Sequence, residues 1–158
     1  MTTIAFSLNG RAVQAEVEAG TRLIDLLRES FDCTEVKEGC GEGECGACTV
    51  LLDGRPVTSC VLFAWQAHGR TVVTVAGLPK QELSRIQEAM VGQGAVQCGF
   101  CTPGFVLSIK ALLDSNPTPT RGEILAAVSG NLCRCTGYER IARAVEQLTR
   151  QGGSPCAP

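Results

Sequence analysis

The first 75 residues alternate between apolar and polar positions in short runs separated by turn residues. Such alternation predicts half-buried β-strands, and the Asn9-Gly10 and Asp53-Gly54 pairs predict tight β-hairpin turns. Between the hairpins, leucine and isoleucine residues with helical spacing follow Thr21. They predict a short amphipathic helix with Thr21 as its N-cap. The predicted strands cover residues 4–8, 13–17, 49–52, 56–59 and 71–75.

The second half of the chain has the three-to-four-residue apolar spacing of helices. The first predicted helix includes residues 83–90. The Thr102-Pro103 pair predicts a second helix, with threonine as its N-cap and proline at its first position. Two capping boxes of the form Thr-x-x-Glu, at Thr120 and Thr136, predict the starts of the last two helices.

These patterns predict an α+β chain of two domains, divided near the Gly77-Leu78-Pro79 linker. Residues 1–77 are expected to form a β-grasp domain of the plant-type ferredoxin-like kind, with a small sheet packed on one helix. Residues 78–150 are expected to form a four-helix domain. We expect residues 151–158 to be a flexible tail.

Ten cysteines and 18 glycines among 158 residues, with only 4% aromatic residues, narrow the possible chemistry. A small chain poor in large core side chains often needs covalent or metal cross-links. The N-terminus lacks the basic and continuous apolar regions of a secretory signal, and no stretch approaches the roughly 20 apolar residues of a membrane span. We therefore expect a cytoplasmic protein, in which grouped cysteines favour metal ligands over disulfides.

The net charge of −2 gives no reason to expect nucleic-acid binding. The charge is unevenly distributed, because residues 1–78 carry 10 acids and 6 bases, whereas residues 79–158 carry 6 acids and 8 bases. The resulting balances of −4 and +2 are typical of two ordinary solvated surfaces, and they also suggest that the two halves face different partners.

A first group of four cysteines has the spacing C-x4-C-x2-C-x11-C: Cys40, Cys45, Cys48 and Cys60. Its first three members have the spacing of plant-type [2Fe–2S] ligands. Three glycines lie between them: Gly41, Gly43 and Gly46. Glycine permits positive φ and lets backbone N–H groups approach an anionic cluster. A structural zinc site is the alternative, although zinc favours paired C-x2-C knuckles.

A second group has the spacing C-x2-C-x31-C-x-C: Cys98, Cys101, Cys133 and Cys135. Each pair comes just before a predicted helix start, where the helix dipole and free N–H groups favour a negatively charged centre. Two pairs of cysteines are compatible with zinc or with an iron–sulfur cluster, and their spacing leaves both open.

Three strings carry a resemblance to a known family: GCGEGECGACTV at residues 39–50, QCGFCTPGF at 97–105 and GNLCRCTGY at 130–138. In their order, and in the gap of 11 residues before Cys60, they closely resemble the small iron–sulfur subunit of molybdenum hydroxylases, the xanthine dehydrogenase family. The resemblance runs from about Thr3 to Leu148, and every cluster-ligand position matches.

The resemblance implies an electron-transfer subunit of a molybdenum-dependent oxidoreductase, with one [2Fe–2S] cluster in each domain. Substrate would be oxidised on a large molybdopterin-binding subunit, and a medium subunit would usually carry FAD. Electrons would pass from the molybdopterin to the helical-domain cluster, then to the ferredoxin-like cluster, then to FAD or another acceptor. Gln97 and Cys135 would contact the pterin. The stretch at residues 62–78 resembles purine-oxidising members and suggests a substrate of the xanthine type.

Two other functions stay compatible with the residues: a freely diffusing ferredoxin and a non-redox scaffold with two zinc sites. A net charge of −2 is weak for a carrier steered by its charge. Cys33 and Cys156 match no ligand position. His68, the only histidine, is expected on the surface without a catalytic role, and Trp65 is expected in the core.

Overall fold

The computed structural model describes residues 1–151, so Cys156 and the predicted tail from residue 152 onward lie outside the described residues. The strands are β1 (Thr2–Leu8), β2 (Arg11–Val17), β3 (Thr49–Leu52), β4 (Arg55–Thr58) and β5 (Thr71–Val73). The helices are α1 (Leu23–Asp25), α2 (Lys80–Gly92), α3 (Thr102–Ser115), α4 (Arg121–Val128) and α5 (Tyr138–Gln151). The predicted α+β fold is confirmed, with a ferredoxin-like sheet domain first and four helices after it.

The five strands form one mixed sheet in the order β2-β1-β5-β3-β4. Strands β1 and β5 are parallel, and all other pairs are antiparallel. Both predicted hairpin turns are present, and the residues of the Asn9-Gly10 and Asp53-Gly54 pairs all have positive φ, as tight two-residue hairpin loops require. Strand β5 is shorter than predicted because the chain turns into a 3₁₀ segment at Val75–Gly77.

The first hydrophobic core lies between the sheet and α1, which continues through a wider π-helical turn at Leu26–Ser30. Apolar side chains of β1 pack there against Leu23, Ile24 and Leu27, all of which are buried. The predicted N-cap at Thr21 is wrong. Arg22 occupies that position, and the Thr21 hydroxyl instead accepts a hydrogen bond from the Glu18 N–H at 3.2 Å.

The capping predictions for the helical half have mixed outcomes. The capping box at Thr120 is confirmed, because the Thr120 N–H donates to Glu123 Oε2 at 2.7 Å. The N-cap predicted at Thr102 is wrong, since Thr102 is already helical and Cys101 precedes it. The capping box predicted at Thr136 is also wrong. Helix α5 begins two residues later, and the Thr136 hydroxyl lies 3.1 Å from Cys133 Sγ instead.

The two halves pack against each other through β3 and α3. Every residue of β3 is buried. Val50 and Leu52 on one face belong to the first core, and Leu51 on the other face belongs to the core of the helical half. The sheet is therefore covered on both faces at this strand. The division into domains at residue 77 stays a prediction.

The predictions for Trp65 and His68 have different outcomes. Trp65 was predicted in the core, but it is 49% exposed and stacks on Phe63 with ring centroids 6.3 Å apart. Its short 3₁₀ turn, Ala64–Ala67, buries the alanines and directs the indole outward. His68 is exposed as predicted, and its Nδ1 accepts a hydrogen bond from the Ala5 N–H at 3.1 Å. None of the helices within residues 1–151 is long and apolar enough to cross a bilayer.

Candidate metal centres

The structure brings the first four predicted cysteines together at one end of the sheet. Cys40, Cys45 and Cys48 lie in the loop that enters β3, and Cys60 follows β4, whose hairpin with β3 returns the chain to that loop. Within the group, the thiols of Cys40 and Cys45 interact with each other, as do those of Cys48 and Cys60. The loop therefore presents its thiols as two neighbouring pairs.

Backbone N–H groups of this loop converge on the thiol sulfurs. The N–H groups of Glu42 and Cys45 each donate to Cys40 Sγ at 3.4 Å. The loop turns through the three glycines predicted to have positive φ: Gly41 at 72°, Gly43 at 83° and Gly46 at 68°. Positive φ at these positions lets successive N–H groups face inward, which stabilises negative charge on sulfur.

The environment lowers the pKa of one thiol in this group and raises the pKa of another. Hydrogen bonds from the N–H groups of Glu42 and Cys45 lower the pKa of Cys40 to about 6. Burial, together with the neighbouring Cys48 thiol, raises the pKa of Cys60 to about 11. Because a metal binds the thiolate, Cys40 is already mostly in the ligand form near neutral pH, whereas Cys60 must lose its proton when a metal binds.

The second group is assembled from two segments that are far apart in the sequence. Cys98 and Cys101 lie immediately before α3, and Cys133 and Cys135 lie in the turn that leads into α5. Cys135 Sγ is 3.7 Å from Cys98 Sγ, and the Cys101 thiol interacts with that of Cys133. This group therefore also consists of two pairs, each formed across the two segments.

Thr136 and Tyr138 both contact Cys133, and the sequence did not predict either contact. Burial raises the pKa of the Cys133 thiol, but hydrogen bonds from the Thr136 hydroxyl and from the N–H groups of Thr136 and Cys135 lower it, and the pKa is about 7. The Cys133 N–H donates to the Tyr138 hydroxyl at 3.4 Å. Burial and the Cys133 thiol raise the pKa of Cys101 to about 12. The only signal for the contact between Thr136 and Cys133 in the sequence is the position of the threonine, three residues after a predicted ligand.

The arrangement of the thiols bears on the metal that each group suits. In a [2Fe–2S] cluster, each iron takes two cysteine thiolates, so the protein must offer four thiols in two pairs. The donor set and its pairing fit two [2Fe–2S] clusters.

The remaining predicted site residues differ in exposure. Cys40, Cys98 and Cys135 are exposed, whereas Cys48 and Cys60 are buried. Gln97 is exposed beside Cys98, so its side chain is free to contact a partner. Cys33 is buried in the first core, and burial raises the pKa of its thiol to about 11.

Two family models match the chain in succession. Residues 6–71 match a model described as a 2Fe-2S iron-sulfur cluster binding domain, and residues 74–146 match a [2Fe-2S] binding domain. The fold and its two groups of thiols thus define a protein with two [2Fe–2S]-binding domains.

Individual relatives narrow the class. The nicotinate dehydrogenase small FeS subunit of Eubacterium barkeri is 55% identical over 144 residues, which cover 90% of this chain and 92% of that protein. The xanthine dehydrogenase iron-sulfur-binding subunit of Escherichia coli O157:H7 is 46% identical over 147 residues, covering 90% and 91% of the two chains. The crystal structure of quinoline 2-oxidoreductase from Pseudomonas putida 86 contains a chain with a TM-score of 0.86 and 41% identity, covering 97% and 98%.

The chain belongs to the small iron–sulfur subunits of the molybdenum hydroxylase family. The family resemblance noted in the three sequence motifs is confirmed. The protein is accordingly the iron–sulfur subunit of a molybdenum-dependent oxidoreductase.

Proposed function

We propose that the chain conducts electrons through two [2Fe–2S] clusters, one in each half. The first would be bound by Cys40, Cys45, Cys48 and Cys60, and the second by Cys98, Cys101, Cys133 and Cys135. The observation that carries this proposal is that the structure brings the eight predicted ligands together as two groups of four neighbouring thiols. When bound, such clusters supply one-electron redox chemistry without proton transfer.

The protein's own groups would set the properties of each centre. Backbone N–H groups donate hydrogen bonds to ligand sulfurs and so place partial positive charge beside them. The donors are Glu42 and Cys45 at the first centre and Thr136 at the second. Such hydrogen bonds stabilise the more negative, reduced state and raise the reduction potential. Because the two environments are built differently, the two centres are expected to differ in potential.

The proposed direction of flow is supported by the exposed face around the second thiol group. Cys98, Cys135 and Gln97 are all exposed, and the apolar side chains of Phe100 and Leu132 beside them are 46% and 53% exposed. We propose that this face covers the molybdopterin of a large subunit, with Gln97 and Cys135 against the pterin. Electrons would enter the chain here and leave from the first group of thiols.

The acceptor side is proposed to dock an FAD-binding medium subunit at the loop of Cys40. The exposed carboxylates of Glu42 and Glu44 flank this loop, and the half that carries it has the balance of −4. The reduced thiols that the centres require also suit the cytoplasm, which is the compartment we propose.

The substrate is proposed to be a nitrogen-containing aromatic ring. The relatives named above are a nicotinate dehydrogenase, a xanthine dehydrogenase and a quinoline oxidoreductase, and all three names denote such rings. A purine of the xanthine type stays the narrower prediction. Turnover of nicotinate, xanthine and quinoline by the assembled complex would separate these substrates directly.

Iron and sulfide analysis tests the central proposal. Two complete clusters require about four irons and four inorganic sulfides per chain. The measurement is made on anaerobically purified protein, alongside its visible absorption. Stoichiometric zinc without sulfide would contradict the proposal and support the zinc scaffold. Full iron and sulfide in a chain that never co-purifies with larger subunits would support a diffusing ferredoxin instead.

A further inference from the structure

Asn131 is one of the few polar side chains buried in the described part of the protein, at 2% exposure. It lies where the two halves meet, two residues before the ligand Cys133. Burying an amide is costly unless its donors and acceptor are hydrogen-bonded. Its partners therefore indicate what holds it in place.

The amide of Asn131 connects three segments. Its Nδ2 donates to the Gly46 carbonyl at 3.0 Å and to Thr49 Oγ1 at 3.3 Å, both in the first half. Its Oδ1 accepts from the Ser108 hydroxyl of α3 at 2.7 Å. Since Gly46 directly follows Cys45 and Asn131 lies two residues before Cys133, one side chain joins the loop of the first thiol group to α3 and to one segment of the second group.

The surroundings leave no space for a change at this junction. A Cβ added to Gly104 of α3 would lie 2.3 Å from the Gly46 carbonyl oxygen and 2.9 Å from Asn131 Nδ2. A Cβ added to Gly46 would lie 2.2 Å from the Gly130 carbonyl oxygen. Next to the amide, the Leu132 N–H donates to the Cys45 carbonyl at 2.9 Å. The backbones of the two ligand loops are thus in direct contact.

We propose that Asn131 is a positioning residue that fixes the distance and orientation between the two cluster centres. Its amide, oriented by Ser108, holds the Gly46 backbone against the segment that carries Cys133 and Cys135. Gly104 is the complementary element, because only a residue without a side chain lets α3 approach that backbone. This inference rests on the proposed function, since it concerns the spacing of the two proposed centres.

Two variants disturb the junction by different means. Asn131→Asp keeps the acceptor for Ser108 but places a carboxylate oxygen opposite the Gly46 carbonyl, which turns the attraction into repulsion. Gly104→Ala keeps all hydrogen-bonding groups and raises the helix propensity of the position, but it inserts a methyl group between α3 and Gly46. If one variant fails to fold, the other still tests the same contact.

Each variant has a matched control. Gly122→Ala places the same methyl group in helix α4, where nothing lies within 4 Å of the added Cβ. Asn9→Gly removes another asparagine that joins separate segments, since Asn9 Nδ2 donates to Thr74 Oγ1 at 3.0 Å and its Oδ1 accepts from the Thr74 N–H at 2.8 Å. Glycine retains the positive φ that Asn9 adopts, and this contact is not part of either thiol group.

The measurement is the magnetic interaction between the two centres, read by EPR on anaerobically purified protein fully reduced with dithionite. This interaction depends on the distance and orientation of the centres. Iron, sulfide and thermal unfolding are measured on the same samples. We expect the wild type to show a splitting, and we expect Asn131→Asp and Gly104→Ala to shift or abolish it while iron and sulfide are retained. Both controls are expected to leave it unchanged.

Three results would overturn the inference. The first is wild-type splitting in both junction variants with a full complement of iron. The second is an equal change in Asn9→Gly at a comparable fall in unfolding temperature, because general loosening would then explain the effect. The third is wild-type protein without iron and sulfide, which alone among the three would also overturn the proposed function.

Discussion

Each thiol group combines a cysteine made more acidic by hydrogen bonds with one made less acidic by burial. In the first group these are Cys40 and Cys60, and in the second they are Cys133 and Cys101. The more acidic member has the larger thiolate fraction near neutral pH, so it would hold iron more readily, whereas the less acidic member would first have to lose its proton. Both halves reach this arrangement with unrelated local structures.

Replacement of single ligands tests whether the two groups act independently. Cys45→Ser is expected to remove the first centre, and Cys101→Ser the second, because each leaves only three thiolates in its group. Each variant should retain about half of the iron and one of two EPR signals. Cys33→Ser is the matched control, since Cys33 is buried outside both groups and its loss should leave the iron content unchanged. Simultaneous loss of both signals in a folded Cys45→Ser protein would contradict the separation.

Residue chemistry was predictable from the sequence where it depends on spacing along the chain. The eight thiols and the positive φ of the loop glycines belong to this class, since a short loop that wraps a cluster leaves few alternatives. Thr136, Tyr138 and Asn131 were not predictable as contacts. Their partners are either unusual, such as a thiol that competes for a threonine hydroxyl, or 85 residues away in the sequence, as Gly46 is from Asn131.

Among the elements, α3 does the most to hold the second centre in place. It begins directly after Cys101, and its residue Phe105 is fully buried with its ring 6.4 Å from that of Tyr138. The Tyr138 hydroxyl in turn accepts the Cys133 N–H. The core of the helical half is therefore in contact with the backbone of a proposed ligand.

Truncation of Phe105 should consequently affect both stability and the second centre. Phe105→Ala is expected to lower the free energy of unfolding by about 3–5 kcal/mol, as for other buried phenylalanines. Thermal or denaturant unfolding measures this change, and EPR should show the second signal weakened before the first. Phe63→Ala is the control, because Phe63 is 44% exposed and its loss should cost far less. Equal destabilisation by the two variants would show that the packing around Phe105 is not as described.

Element boundaries followed from the sequence where the signal is local. The two hairpins were predictable because Asn9-Gly10 and Asp53-Gly54 determine their own turn geometry. The parallel pairing of β1 with β5 was not, since it joins strands about 65 residues apart. The outward direction of Trp65 was also missed, because a large apolar residue is exposed here by a short turn that buries its alanine neighbours. Tertiary contacts decided these features.

At the scale of the whole molecule, the chain presents its two proposed centres to different surroundings. The first group lies in the half with a charge balance of −4, and the second in the half with +2. Charge of opposite sign on the two halves would suit partners of different charge and help to orient the subunit during assembly. The buried junction at Asn131 keeps the two thiol groups at a constant separation, so a partner docked on one half is held in register with a partner docked on the other.

The final prediction concerns the direction of electron transfer in the assembled complex. Gln97→Ala is expected to slow cluster reduction by substrate, or to loosen molybdopterin retention, by up to about tenfold, since one hydrogen bond contributes about 0.5–1.5 kcal/mol and about 1.4 kcal/mol corresponds to tenfold. Both clusters should remain. Gln14→Ala is the matched control, because Gln14 is exposed on β2 in the other half. Rapid mixing with substrate, following cluster and flavin absorbance separately, measures the two steps.

A substitution near the first thiol group, at the other end of the proposed electron path, should affect the later step instead of the earlier one. Glu44→Gln removes a charge from the exposed rim of the first thiol loop, so it is expected to change the later step, to flavin or another acceptor, while substrate-driven cluster reduction stays as in the wild type. The direction of electron flow predicts this separation of effects, because each residue lies at only one end of the path. If Gln97→Ala altered only the later step and Glu44→Gln only the earlier one, electrons would enter at the ferredoxin-like half, and the proposed order of the two centres would be reversed.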